Sequence, residues 1–172
     1  MGIILAIRPV YIKDKGDCTM VLKEGTKEIL IEKPIDIVIE DEMALRMVDL
    51  KVLKKKIKEI TKMKKNYPLY PTNEEMLVLV KLREAKVVGD RAYGYINNNY
   101  IDSVYNGVII TKGGEKYKLQ ESEKTFNRRR GLCELIEEEF QRDSHLRLIY
   151  GNSSKYAEEI KRDIVELANK YR

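Results

Sequence analysis

Eight lysines and a single acid, Glu59, fall between Lys51 and Lys65. Ammonium groups at that density suit a polyanion, because each one set against a phosphate releases a condensed counterion. On a helix Lys51, Lys55, Lys58, Lys62 and Lys65 share one side, and Lys54 joins them. Leu50, Leu53, Ile57 and Ile60 take the opposite side, with Val52 and Met63 at its margin. Two readings stand. The stripe is either a solvated helix face or a surface that tracks phosphates. The second gains from the fact that like charges at i, i+4 mildly destabilise a helix and need a reason to accumulate.

A second cationic run, Arg128-Arg129-Arg130, also carries chemistry. Consecutive helical residues point about 100° apart, so the three cannot share one internal ion pair and at least one must face solvent. They pair with Glu134, Glu137 and Glu138 one or two turns on, or they reach a narrow A·T-rich minor groove. The turn Lys112-Gly113-Gly114-Glu115-Lys116 is either a surface hairpin or a ribbon tip entering a groove. The eleven tyrosines stand mostly at strand positions, where packing accounts for them.

Catalytic chemistry finds little to build on. His145 is the sole imidazole, and no motif pairs it with Cys133 or a serine. Cys18 and Cys133 have no CxxC spacing and read as reduced, structural thiols; no metal or other cofactor is implied. Glu84-Ala85-Lys86, with Asp90 beyond it, spells half of a metal-dependent nuclease pattern, but no Pro-Asp precedes it. The glycines spell neither G-x-G-x-x-G nor a P-loop.

The 172 residues fit one domain, 1–172, with 144–172 as a regulatory or oligomerisation tail. Hydrophobic residues make up 43% and charged residues 35%, which excludes disordered and collagen-like classes. The longest apolar run, Ile3 to Ile7, is far shorter than the roughly 18 residues a membrane span needs. No signal peptide is recognised, and a cytoplasmic, nucleoid-associated location is expected. Net charge is +5 and the pI near 9.0. The segment 51–65 alone carries +7, so the remainder is slightly acidic and the positive charge is local.

The elements that must position these groups read as α+β. Ile3 to Tyr11, Cys18 to Lys23 and Glu28 to Ile31 are predicted strands, and Ile35 to Ile39 alternates like another, giving a small N-terminal sheet. From Asp41 to Met63 the period is helical, broken near Val48, and Asn66, Pro68 and Pro71 end it. Met76 to Leu82 is strand-like. A β-meander follows through Tyr93 to Ile96, Tyr100 to Tyr105, Val108 to Thr111 and Lys116 to Leu119, with Asn106-Gly107 as a type I′ turn. Two helices close the chain. The first, Ser122 to Gln141, buries Phe126, Leu132, Leu135, Ile136 and Phe140; the second runs from Ser154 to Lys170.

In this order the elements resemble the ComK family of competence transcription factors of low-GC Gram-positive bacteria. Lys33-Pro34, the basic segment, Lys65-Asn66-Tyr67-Pro68-Leu69, Gly94-Tyr95-Ile96, the Gly113-Gly114 hairpin, Phe126-Asn127 and Leu148-Ile149-Tyr150 follow one another as the family's corresponding passages do. Tyr95 stands where the family has tryptophan and Gly151 where its tail motif ends in proline, so the chain is similar to a distant member. The resemblance implies a transcriptional activator that binds paired A/T-rich boxes of double-stranded DNA through the minor groove, as a homodimer or higher oligomer. It also implies that Leu148, Ile149 and Tyr150 engage an adaptor leading to a protease. The expected DNA contacts are therefore Lys51, Lys54, Lys55, Lys58, Lys62, Lys65, Lys112, Lys116, Arg128, Arg129 and Arg130. The rival reading is a non-enzymatic interaction module, regulatory or phage-borne, that docks its basic helix on an acidic protein.

Overall fold

A computed structural model describes residues 2–86 and 88–143. The protein is α+β. The chain divides into two compact units, Met1–Glu137 and Glu138–Arg172, and the elements below belong to the first except for the last turns of the final helix. The terminal helix expected over Ser154 to Lys170 lies outside the described residues.

Six strands form one antiparallel sheet: β1 (Ile4–Ile12), β2 (Gly16–Lys23), β3 (Ile29–Ile31), β4 (Leu69–Thr72), β5 (Glu75–Lys81) and β6 (Tyr93–Asn97). Their order is β3-β2-β1-β6-β5-β4, so two three-stranded meanders meet where Ala6 and Ile7 face Ile96 and Tyr95. At this seam Gly94 is needed for close approach, since a Cβ there would lie 2.5 Å from the Ile7 carbonyl oxygen. β6 was expected in the downstream meander. It is instead the central strand that completes the sheet, and only β7 (Ile101–Tyr105), β8 (Val108–Thr111) and β9 (Lys116–Lys118) form the separate meander. Asn106 and Gly107 between β7 and β8 both have positive φ, 50° and 72°, as their turn type requires. β4, not foreseen because its prolines read as terminators, tolerates Pro71 because it is an edge strand. β5 is buried from Glu75 to Val80, so both of its faces are covered, and its continuous apolar run follows from that.

Between β3 and β4 come α1 (Ile35–Leu45) and α2 (Leu50–Thr61). The run Ile35 to Ile39, expected as a strand, is the first turn of α1. Ile35, Val38, Ile39, Glu42 and Met43 are its buried residues, at helical spacing, and that burial overrides the β preference of the isoleucines. The corner between the helices is closed by backbone. The Met47 N–H donates to the Ala44 carbonyl and the Val48 N–H to the Met43 carbonyl, both at 3.0 Å, with Met47 in the left-handed region at φ 56°. This is a Schellman closure with methionine where glycine is usual. Asp49 then caps α2, its carboxylate accepting from the N–H groups of Lys51 (2.8 Å) and Val52 (3.1 Å).

A buried ionic cluster fastens this corner to the sheet. The Arg46 guanidinium donates to both oxygens of Glu75 (2.6 and 2.5 Å) and to Glu42 (2.8 Å), and it reaches the Gly2 carbonyl at 3.1 Å. Glu75 also accepts from the Ile4 N–H (2.7 Å) and the Thr72 hydroxyl (3.1 Å), while Lys23 pairs with Glu42 at 2.7 Å. Burial alone would raise the Glu75 carboxyl. The hydrogen bonds from Arg46 and Ile4 outweigh it and hold the group below its ordinary value.

The final helix, α3, spans residues 123–143. Ser122 caps it, its hydroxyl accepting from the Thr125 N–H at 3.2 Å. Phe126, Cys133 and Ile136 are its buried apolar residues in the first unit; Leu135, expected in the core, is 40% exposed, and Cys133 takes the inward position. Both cysteines are free and buried, and burial pushes the Cys133 thiol up to about 12.

Candidate nucleic-acid interface

α2 buries Leu53 and Ile57, and Lys56 is half-buried on it. Lys51, Lys55 and Lys58 are exposed on the helix, and Lys54 is half-buried beside them. The stripe is shorter as a helical feature than the periodicity implied. The helix ends at Thr61, and Lys62 closes it in the left-handed conformation with φ 57°. Lys65 therefore lies beyond the helix, exposed in the following loop, and the neighbouring Lys64, which was not singled out from the sequence, is exposed there too. Among the described residues none of Lys51, Lys54, Lys55, Lys58, Lys62, Lys64 and Lys65 makes an ion pair with a carboxylate. Lys58 lies 5.8 Å from the centre of the Tyr67 ring, a contact that leaves its charge uncompensated.

The three arginines of α3 separate into distinct roles. Arg128 is exposed. Arg129 is 4% exposed, donates to the Leu79 carbonyl and pairs with Glu121, and sits 5.8 Å from the Tyr93 ring centre. Its guanidinium fastens α3 to β5, so it is withdrawn from the expected DNA contacts. Helical phase explains this, since Arg129 shares the face of Phe126, Cys133 and Ile136. Arg130 is half-buried and donates to the Asn98 side-chain oxygen at 2.8 Å. The acids expected as partners, Glu134, Glu137 and Glu138, do not supply these bonds; a residue before the helix and the sheet do.

Lys112 and Lys116 are exposed at the β8–β9 turn. Between them Glu115 accepts from the Tyr100 hydroxyl (2.8 Å) and from Thr111, and the hydrogen bond from Thr111 is the largest influence holding its carboxyl below the ordinary value. Leu148, Ile149 and Tyr150 lie outside the described residues. Of the nuclease-like trio, Asp90 is engaged by Arg83 and by the Lys86 N–H at 2.9 Å, and Glu84 and Lys86 are exposed, so the acid fastens its own loop. Among the described residues no cluster of three or more His, Cys, Asp or Glu is placed to hold a metal ion, and no helix is long and apolar enough to cross a membrane.

What the fold and this surface define is an α+β protein that presents a lysine-rich helix as the second of the two helices between β3 and β4. No protein-family model matches the chain. No curated protein and no solved structure matches it either.

Proposed function

We propose that the protein binds double-stranded DNA through the lysines of α2 and the loop after it, and acts as a transcriptional regulator. One observation carries this reading: seven of the eight lysines of residues 51–65, all but Lys56, make no ion pair with a carboxylate among the described residues, and they are gathered on one helix and the loop that follows it. Such a surface supplies backbone affinity and register but no sequence information. Specificity then comes from groove width and deformability, and the exposed Arg128, Lys112 and Lys116 are the cations outside α2 to which this reading gives a groove contact. The ComK resemblance supports the finer reading of an activator that recognises A/T-rich boxes from the minor groove as a dimer or higher oligomer. An adaptor contact at Leu148, Ile149 and Tyr150 rests on that resemblance alone.

A mobility-shift titration tests the reading, with an A/T-rich duplex and a G/C-rich control at several salt concentrations. Each phosphate contact contributes a slope of about −0.9 in log K against log salt. Tighter binding to the A/T-rich duplex is expected, and equally weak binding to both would refute specific recognition. The rival reading, an acidic protein partner docked on α2, is separated by capture from lysate with and without nuclease, because a nucleic-acid partner disappears on digestion.

A further inference from the structure

On the sheet face away from α2 there is a second cationic site. Across the β1–β2 pair Ile7 faces Val21 and Arg8 faces Met20, so the pleat sends Arg8 and Leu22 to the side opposite Ile7. Val21 shares its face with Thr19, whose hydroxyl donates to the Lys33 carbonyl at 2.8 Å just before α1, so the Ile7 side is the helical side. The other side carries a cleft of about 630 Å³ between β1–β2 and β9, within the range of pockets that hold small ligands.

Leu22 and Leu82 give it an apolar surface, and the half-buried ring of Tyr117 lines it as well. Its rim is cationic. Lys27, Lys116 and Lys118 are exposed there and, among the described residues, make no ion pair with a carboxylate. Both acids that line the cleft are already engaged. Glu28 takes a two-pronged pair from Arg8 at 2.7 and 2.9 Å, and Glu115 is held by Tyr100 and Thr111. The Arg8 fork on Glu28 uses Nε and Nη2. The site therefore pairs uncompensated positive charge with a flat aromatic and aliphatic surface, in a volume much larger than a lone phosphate fills.

We propose that this cleft binds a nucleoside phosphate, with the base against Tyr117, Leu22 and Leu82 and the phosphates on Lys27, Lys116 and Lys118. The site is separate from the α2 stripe; Lys116 is the residue it shares with the cations assigned above to a DNA groove.

Calorimetric titration of the full chain with ATP, adenosine and pyrophosphate tests it. ATP is expected to saturate one site per chain and to bind more tightly than either fragment, since each fragment fills half of the cleft. The double variant Lys116→Glu/Lys118→Glu should weaken ATP by about tenfold or more, because it turns attraction at the rim into repulsion. Leu82→Trp should block the site by filling it. Lys55→Glu/Lys58→Glu on α2 should leave ATP binding unchanged. The proposal is overturned by no saturable heat at millimolar ATP, by pyrophosphate binding as tightly as ATP, or by equal loss in the α2 variant, which would mean counting of surface lysines. Circular dichroism reports whether each variant is folded. Should Leu82→Trp unfold, the exposed rim pair still decides the question.

Discussion

Two sets of cations in this protein are treated in opposite ways. Arg46 and Arg129 are buried, and each is held between a partner on β5, Glu75 or the Leu79 carbonyl, and a carboxylate nearer in sequence, Glu42 or Glu121. Lys51, Lys55 and Lys58 on α2 are exposed and, among the described residues, make no ion pair with a carboxylate. A charge out of water persists only when its partners are in place, whereas a solvated charge needs none and adds little to folding. The difference separates cations committed to holding the fold from cations left over for something outside it. Residue type follows the same division. The planar guanidinium forks suit fixed bidentate pairing, and the flexible ammonium groups suit a mobile phosphate backbone.

The sharpest way to break this contrast is Arg46→Met. Removing the guanidinium leaves Glu42 and Glu75 buried with one cation, Lys23, near only the first of them, and the expected loss is about 3–5 kcal/mol of stability in urea unfolding. Arg129→Met should cost less, about 2–3 kcal/mol, because it orphans one buried carboxylate, Glu121, and the Leu79 carbonyl. A loss under 0.5 kcal/mol in either variant would mean that the buried pairs are not holding the elements together.

Acid sharpens the contrast further. The Glu75 carboxyl is held below its ordinary value of 4.5, so its contribution is complete above that pH and is lost as pH falls through the lowered value. Glu75→Gln should therefore be less stable than the parent at neutral pH, with the gap narrowing below 4.5. A gap that stays constant in unfolding curves across that range would assign the loss to packing and not to charge.

The smallest stability effect belongs to the stripe. Lys55→Glu/Lys58→Glu/Lys62→Glu should shift unfolding by no more than about 0.5 kcal/mol. The same variant should abolish DNA binding in the shift assay. A large loss of stability would place these lysines with the structural set, and unchanged affinity would move the interface elsewhere.

How legible each set was follows from the range of the interactions. The α2 stripe is local, since its phase, its apolar reverse side and the break near Val48 all lie within one stretch of chain. The Asn106-Gly107 turn was readable for the same reason, because two adjacent residues fix its backbone. The Arg46–Glu75 pair joins residues 29 apart and depends on which strand lands beside the helix corner, so no window shows it. The exchange of β6 into the first sheet was hidden likewise, because its pairing with β1 is set by packing and not by the nearby hairpin signals. Ile35 to Ile39 misled because a short isoleucine-rich run satisfies both periods, and only the burial of Glu42 and Met43 beyond it decides for helix. Arg129 could have been read correctly, since it shares a phase with Phe126, Cys133 and Ile136; treating the three arginines as a unit obscured it.

The corner at Met47 bears on how such a surface can change over generations. Main-chain bonds at Ala44 and Met43 set the angle at which α2 leaves α1, and the side chains on the outer face of α2 take no part in setting it. Lysines there can be exchanged for arginines, or shed and regained, without re-aiming the helix. Recognition is thereby uncoupled from architecture, and a lineage could retune what α2 grips while inheriting its orientation intact.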